Sequence, residues 1–78
     1  MKVLCFGIAK EIIGSSEIQI GGEHINTVSE LKSWIHHTYP EFNSLNSCMI
    51  AVNQEYAEDS QSLSNGDEIA IIPPVAGG

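Results

Sequence analysis

The last residues of the chain are those whose types and spacing point most directly to chemistry. The sequence finishes with IIPPVAGG, so two prolines follow an apolar segment and two glycines come last. Each proline removes a backbone donor and fixes φ near −65°, which stops strand pairing and favours a stiff, extended stalk. Gly77 and Gly78 have no Cβ and tolerate unusual φ values, so they suit a channel too narrow for side chains.

The α-carboxylate of Gly78 is the reactive group that such a stalk would present. A carboxylate is a poor electrophile, so a partner must first activate it with ATP as an acyl-adenylate before a sulfur or nitrogen nucleophile can attack. We therefore predict that Val75, Ala76, Gly77 and Gly78 form a flexible delivery arm. The alternative is an ordinary frayed terminus, which most chains have.

The cysteines and histidines are expected to have structural roles. Cys5 and Cys48 lie far apart in apolar, strand-like segments, where cysteine usually behaves as a small buried hydrophobe. A disulfide, a metal ligand or a nucleophile is the alternative for these thiols. His36 and His37 are neighbours on a predicted helix, so they point about 100° apart, and His24 stands alone. We predict no metal site and no bound cofactor.

Length and composition limit the kinds of protein that the sequence can encode. The chain has 78 residues, room for one domain, and its 42% hydrophobic and 17% charged residues suit a soluble globule. No segment approaches the roughly 20 apolar residues needed to span a bilayer. The start, MKVLCFGIAKE, alternates like a strand and lacks a cleavage pattern, so we expect an uncleaved, cytoplasmic protein.

The charge balance limits the partners. Three lysines and no arginine stand against ten acidic residues, which gives a formal charge of −7. This charge disfavours nucleic acid and anionic membranes and favours a protein with a basic docking surface. A merely solvated acidic surface is the alternative. Five acidic residues cluster late in the chain, toward the tail: Glu55, Glu58, Asp59, Asp67 and Glu68.

The elements that must position the tail follow from hydrophobic periodicity and turn residues. Residues 2–8 and 17–20 alternate like two strands of a hairpin, with AKEIIGSS as a loose loop between them. Thr27 and Glu30 form a predicted capping box, and apolar residues recur behind them at helical spacing. This amphipathic helix should end near Tyr39, because the residue before a proline is disfavoured in a helix.

The second half of the chain reads as strands. CMIAVN alternates like a half-buried strand, a short strand lies near Tyr56, and Leu63 is expected to fill a gap in the core. A turn at residues 65–67 then leads into the last strand.

This order of elements favours an α+β fold of the β-grasp, or ubiquitin-like, type. One main helix packs on one face of a mixed sheet of four to five strands, and the first and last strands pair in parallel at its centre. We predict a β-grasp domain over residues 1–74 and a Gly-Gly tail over 75–78.

Taken whole, the sequence resembles the small, sulfur-carrying subunit of molybdopterin synthase. The resemblance rests on KVLCFGIAKEIIG, TVSELKSWI, AVNQEYA and, most specifically, LSNGDEIAIIPPVAGG. Two positions differ from the usual pattern of that family: Ala76 replaces a hydroxyl residue, and Lys10 stands where arginine is usual. Neither change touches the Gly-Gly end.

The resemblance implies a non-catalytic carrier subunit. A ubiquitin-activating-type adenylating enzyme would use Mg-ATP to form the Gly78 acyl-adenylate, and a sulfur donor protein would convert it to a thiocarboxylate. The tail would then enter the large catalytic subunit of a heterotetramer and give sulfur to a cyclic pyranopterin. Three alternatives remain: a sulfur carrier for thiamin or cysteine synthesis, a protein modifier joined through Gly78 to lysines, and a plain interaction module.

The first predicted strand raises a question about docking, because both of its faces are apolar and one helix covers only one sheet face. We predict that Phe6, Tyr56 and Ile72 lie on the uncovered face and form a docking patch for the synthase and the activating enzyme. The family resemblance implies partner contacts at these positions, and it adds Lys10. In the alternative orientation Phe6 belongs to the core, and Val3 and Cys5 face outward.

Overall fold

The computed structural model describes residues 1–21, 25–44 and 48–72. Within these ranges, five strands form one sheet in the order β2-β1-β5-β3-β4. The strands are β1 (Lys2–Cys5), β2 (Glu17–Gln19), β3 (Met49–Val52), β4 (Glu55–Tyr56) and β5 (Glu68–Ile72). The helices are α1 (Gly7–Ile13), α2 (Val28–Thr38) and a 3-10 turn over Pro40–Ser44.

The centre of the sheet has the predicted arrangement. β1 and β5 run parallel, from the pair Lys2 and Glu68 to the pair Cys5 and Ile71. β2 pairs with β1 and β3 pairs with β5, both antiparallel, and the short β4 closes the other edge beside β3. A chain whose first and last strands meet at the centre through a helical crossover has the β-grasp topology, which confirms the expected fold class.

Helix α2 starts as its sequence predicts. The Glu30 amide donates to the Thr27 hydroxyl at 3.2 Å, and the Glu30 carboxylate accepts from the Thr27 amide at 3.1 Å. This reciprocal capping box satisfies backbone donors that the first helical turn leaves unpaired. At the other end the Tyr39 amide donates to the Ile35 carbonyl at 2.8 Å, and the helix stops before Pro40.

The core lies between α2 and the sheet. The largest fully buried side chains come from every major element: Phe42, Leu31, Ile50, Ile69, Ile71, Val3, Val28 and Cys5. Leu63 packs against this cluster from the loop before β5, as expected. Trp34 is half-buried at the margin and meets Tyr39 edge to face, with ring centroids 6.3 Å apart.

The region between the first two strands corrects the sequence prediction. The expected strand over residues 2–8 ends at Cys5, and the expected loose loop contains helix α1. Gly7 adopts φ 54°, a left-handed value that breaks the extended backbone directly after Phe6. Ile8 therefore lies on α1 and not on a strand face.

Helix α1 is held by one buried side chain and a C-terminal glycine. Ala9 is fully buried, and the half-buried Ile12 and Ile13 also pack against the core. Gly14 adopts φ 84° and donates its amide to the Lys10 carbonyl at 2.8 Å, which terminates the helix.

Three regions named in the sequence predictions lie outside the described residues. They are His24, the proline pair at residues 73 and 74 with the predicted domain boundary, and the delivery arm at residues 75–78.

Candidate functional site

The sheet has one face that no described helix covers. Ile69 and Ile71 point into the core without exposure, so the residues that alternate with them, Glu68, Ala70 and Ile72, point to the opposite side. We call this side the outer face. Strand pairing places Leu4 beside Ala70 on the outer face, and Met49 beside Ile72.

Large apolar side chains are exposed on the outer face. Phe6 is 49% exposed, Met49 48% and Tyr56 67%. Exposed apolar area costs roughly 25 cal/mol per Å² relative to burial, and a group of such residues is typical of interaction surfaces.

The structure brings the three predicted apolar docking residues to one surface. Phe6, Tyr56 and Ile72 all line a single groove on the outer face. Val3 and Cys5 are 0% and 2% exposed, so the alternative orientation of the first strand is wrong. Whether this surface binds a partner stays a prediction.

The groove on the outer face has a volume of about 290 Å³. Its middle is formed by Ala51 and Ala70, which pair directly across β3 and β5. Leu4 stands beside Ala70 on one side, and Tyr56 stands beside Ala51 on the other. The remaining lining residues are Phe6, Gln54, Glu68 and Ile72. Small residues flanked by bulky ones give the sheet a concave surface.

The C-terminal residues continue from one end of this groove. β5 is hydrogen-bonded on both sides, by β1 and β3, so its end is held firmly in the sheet. Because Cys5 pairs with Ile71, Phe6 follows β1 beside the end of β5, and Met49 pairs with Ile72 on the other side. Strand β5 therefore ends at Ile72 beside two exposed apolar side chains of the outer face, Phe6 and Met49.

Lys10 lies near the same end of the sheet. It lines a shallow depression that also includes Leu4, Phe6 and Glu17. The other two lysines form ion pairs: Lys2 with Glu17 at 3.2 Å and Lys32 with Asp59 at 2.7 Å. Across the described ranges, Lys10 has no ion pair, so its ammonium group is available to an acidic partner.

The late acidic residues do not form one site. Asp59 pairs with Lys32 beside helix α2. Asp67 accepts from the Ser64 amide at 2.8 Å and from the Asn53 side chain at 3.1 Å, which ties the turn before β5 to the β3–β4 turn. Glu68 alone among these residues lines the groove.

The two thiols lie in or against the core. Cys5 is buried, and burial raises the pKa of its thiol. Cys48 is half-buried, and burial likewise raises its pKa, partly opposed by the charge of Lys32. A raised pKa keeps a thiol protonated and poorly nucleophilic. The predicted core role is confirmed for Cys5, and Cys48 packs against the core from its margin.

The described part of the chain has neither a metal-binding cluster nor a helix that could span a membrane. Residues 1–21, 25–44 and 48–72 contain no group of three His, Cys, Asp or Glu side chains arranged for a metal ion. Over those ranges, no helix has the length and apolarity to cross a membrane.

Six lining or flanking residues of the groove were not predicted as docking residues from the sequence: Leu4, Met49, Ala51, Gln54, Glu68 and Ala70. The alternation in CMIAVN did place Met49 and Ala51 opposite the core residues, so the signal was present. That Met49 and Ala51 share a surface with Leu4 and Ala70 depends on the pairing of strands that are distant in the chain.

A comparison with protein families decides what kind of chain this is. Residues 3–78, nearly the whole sequence, match the ThiS family. The chain belongs to the ThiS family. The matched range includes the C-terminal residues that carry the predicted chemistry.

Full-length relatives of this ThiS-family chain share one name. A protein of Dictyostelium discoideum is 41% identical over 85 residues, covering 99% of this chain and 94% of the relative. A protein of Chlamydomonas reinhardtii is 38% identical over 84 residues, covering 100% and 98%. Both are named molybdopterin synthase sulfur carrier subunit, which confirms the family resemblance read from the sequence.

Solved structures agree with the fold. A molybdopterin converting factor subunit 1 of Pyrococcus furiosus matches with a TM-score of 0.82 at 25% identity, over 95% of each chain. A chain from a Helicobacter pylori complex of subunits 1 and 2 of molybdopterin-converting factor matches at 0.66 and 28% identity, covering 99% of this chain and 96% of that one. The small archaeal modifier SAMP1 of Haloferax volcanii matches at 0.78 and 23% identity, covering 99% and 97%, and thus shares the fold.

Proposed function

We propose that this ThiS-family chain is the sulfur carrier subunit of a molybdopterin synthase and acts in molybdenum cofactor biosynthesis. The observation that carries the proposal is the groove of exposed apolar residues at the end of the central strand, from which the Gly-Gly segment continues. Two relatives that this chain matches over nearly their whole length are named as such subunits.

In this proposal Gly78 carries the transferred group. One carboxylate oxygen of Gly78 bonds to the α-phosphorus of Mg-ATP, and pyrophosphate leaves. Sulfide supplied by a donor protein then attacks the acyl carbon, and AMP leaves, which forms the thiocarboxylate. The thiocarboxylate sulfur next bonds to a carbon of the cyclic pyranopterin and displaces an oxygen substituent there, and water then cleaves the acyl C–S bond, which leaves the sulfur on the pterin and restores the carboxylate. The catalytic side chains belong to the partner enzymes, so this chain contributes the sulfur-carrying tail and the surface that docks on those partners.

The outer face is the docking surface in the same proposal. Phe6, Tyr56 and Ile72 contact the large synthase subunit, and Lys10 pairs with an acidic residue of the partner. The adenylating enzyme uses the same surface, because it must reach the same tail. The exposure of Phe6 and Tyr56, the half-buried Ile72 beside them, and the exposure of Lys10, which has no ion pair within the described residues, support this assignment.

The test is an intact-mass measurement. The chain is incubated with Mg-ATP, a sulfide source and the adenylating enzyme of the same organism, beside a control that lacks Gly78. We expect a mass gain equal to one oxygen-to-sulfur exchange that localises to Gly78, and no gain in the control. The thiocarboxylated chain should then support molybdopterin formation by the large subunit. A thiocarboxylated chain that fails in this second step would point to another sulfur acceptor, such as one of the thiamin or cysteine pathway.

A further inference from the structure

The groove on the outer face has a shape that the docking proposal leaves unexplained. A merely apolar surface could be flat, yet here Ala51 and Ala70 form a depression between the bulkier Leu4 and Tyr56. The depression holds about 290 Å³, just below the roughly 300–1,000 Å³ of small-molecule sites. Pockets of this kind at interfaces commonly receive an anchoring side chain of the partner.

The groove lining also carries a negative charge. Glu68 lines the groove and no lysine does, although Lys2 stands beside Glu68 across β1 and β5, with its ammonium group bonded to Glu17. Both ion pairs found within residues 1–21, 25–44 and 48–72 involve other carboxylates, those of Glu17 and Asp59. Because the whole chain has a formal charge of −7, a cation on the partner would be attracted to this end of the groove.

We propose that the groove receives one bulky apolar side chain of the large synthase subunit, with a lysine or arginine of that subunit beside it to pair with Glu68. This inference rests on the proposed function and specifies how the partner is recognised. Ala51 and Ala70 are then specificity-determining residues, because their small size creates the space that the anchor fills.

A second copy of this chain is a poorer occupant for the same groove. Two copies would each have a formal charge of −7, so their approach is opposed electrostatically. A second copy also has only three lysines, two of which are already paired with carboxylates of their own chain.

The test uses substitutions in this chain that fill the groove with a larger side chain. In Ala70→Leu the added side chain occupies the space of the anchor, whereas Ala70→Ser keeps the residue small. Ser33→Leu adds the same apolar side chain at an exposed position of helix α2, which covers the other face of the sheet. Ala70→Val is an intermediate step that suits a strand. Affinity for the large subunit of the same organism is measured by calorimetry, and folding by thermal unfolding.

We expect Ala70→Leu to weaken binding by about 30-fold or more, as for the loss of a binding hot spot. The affinity of Ala70→Val should fall between those of Ala70→Leu and the wild type, and Ala70→Ser and Ser33→Leu should bind within about threefold of the wild type. All four variants should unfold near the wild-type temperature. If Ala70→Leu is poorly folded, Ala70→Val decides the matter in its place.

The outcomes separate this inference from the proposed function. A wild-type chain that does not bind the large subunit overturns both. A wild type that binds, together with an Ala70→Leu variant that binds equally well, overturns the groove inference alone. A dimer of this chain in sedimentation, lost in Ala70→Leu while large-subunit binding persists, assigns the groove to a second copy and also overturns the inference.

Glu68→Gln tests the charged half of the proposal. The substitution keeps the shape of the side chain and removes its charge. We expect about three- to fivefold weaker binding at low salt, with the difference shrinking as salt rises. Equal binding at low salt would overturn the proposed cation on the partner. Glu55→Gln is a matched control, because Glu55 is exposed on β4 and does not line the groove.

Discussion

The two faces of the sheet use the same strands for different purposes. On the inner face, β1, β3 and β5 present Val3, Ile50 and Ile69, all nearly without exposure beneath helix α2. On the outer face, Leu4, Ala51 and Ala70 stand one residue further along the same strands and line an open groove. The period of two in a strand therefore lets one short sequence encode a core and an interaction surface at once.

The difference between the faces determines what a substitution should change. An inner-face side chain contributes to the free energy of unfolding, because its apolar area is removed from water in the folded chain alone. An outer-face side chain stays in water until a partner covers it. Substitutions on the inner face should therefore reduce stability, and those on the outer face should reduce binding.

The sharpest test of this comparison uses two neighbours on β5. Ile71 is fully buried on the inner face, and Ile72 is half-buried on the outer face. Ile71→Ala should lower the free energy of unfolding by about 2–5 kcal/mol, the range for a large-to-small core change. Ile72→Ala should cost under about 1.5 kcal/mol, because it leaves no enclosed cavity. Chemical denaturation measures both, and equal losses would contradict the assignment of faces.

The next largest effect is expected for docking. Phe6→Glu places a charge among exposed apolar residues at the end of the groove, and a partner surface would have to desolvate that charge. We expect complex formation with the large subunit to weaken by more than about 2 kcal/mol, with the fold intact. Ile8→Glu is a matched control, since Ile8 is also exposed but lies on α1 outside the groove. Loss of the folded state in Phe6→Glu would sink the docking assignment.

The inner face was easier to predict from sequence than the outer groove. The capping box of Thr27 and Glu30 and the parallel pairing of the first and last strands were both foreseen, because they follow from local spacing and from the order of elements. The groove depends on the pairing of Ala51 with Ala70, which are far apart in sequence. No local pattern states which residues of two such strands stand side by side.

Helix α1 was missed for a related reason. Its seven residues give less than two full turns for a periodic signal, and its boundaries depend on two glycines at positive φ, Gly7 and Gly14. In the sequence Gly7 falls inside the expected strand over residues 2–8, and Gly14 looks like a turn residue of the loop that follows. Tertiary contacts, the burial of Ala9 and the packing of Ile12 and Ile13 against the core, stabilise the segment as a helix.

A smaller effect is expected at the start of helix α2, the element that covers the inner face. Thr27→Ala removes the hydroxyl that accepts from the Glu30 amide at 3.2 Å. The expected loss is about 0.5–2 kcal/mol in the free energy of unfolding. Ser29→Ala, at an exposed position in the first turn of the helix, is the control and should change stability little. Binding to the large subunit should be the same for both variants when measured well below their unfolding temperatures, because neither residue lies on the outer face.

The smallest expected effect is on the pH dependence of stability, which should differ between a buried inner-face residue and an exposed outer-face residue. Burial raises the pKa of the Cys5 thiol above its ordinary value of 9.0, so the unfolded chain loses this proton at a lower pH than the folded chain does. The contribution of Cys5 to stability is therefore complete below pH 9 and declines as pH rises from there through the folded pKa. Cys5→Ala should flatten this decline in unfolding experiments above pH 9, whereas Met49→Ala, a change at an exposed outer-face residue, should leave it unchanged. A decline of the same steepness in Cys5→Ala would show that the buried thiol is not its source.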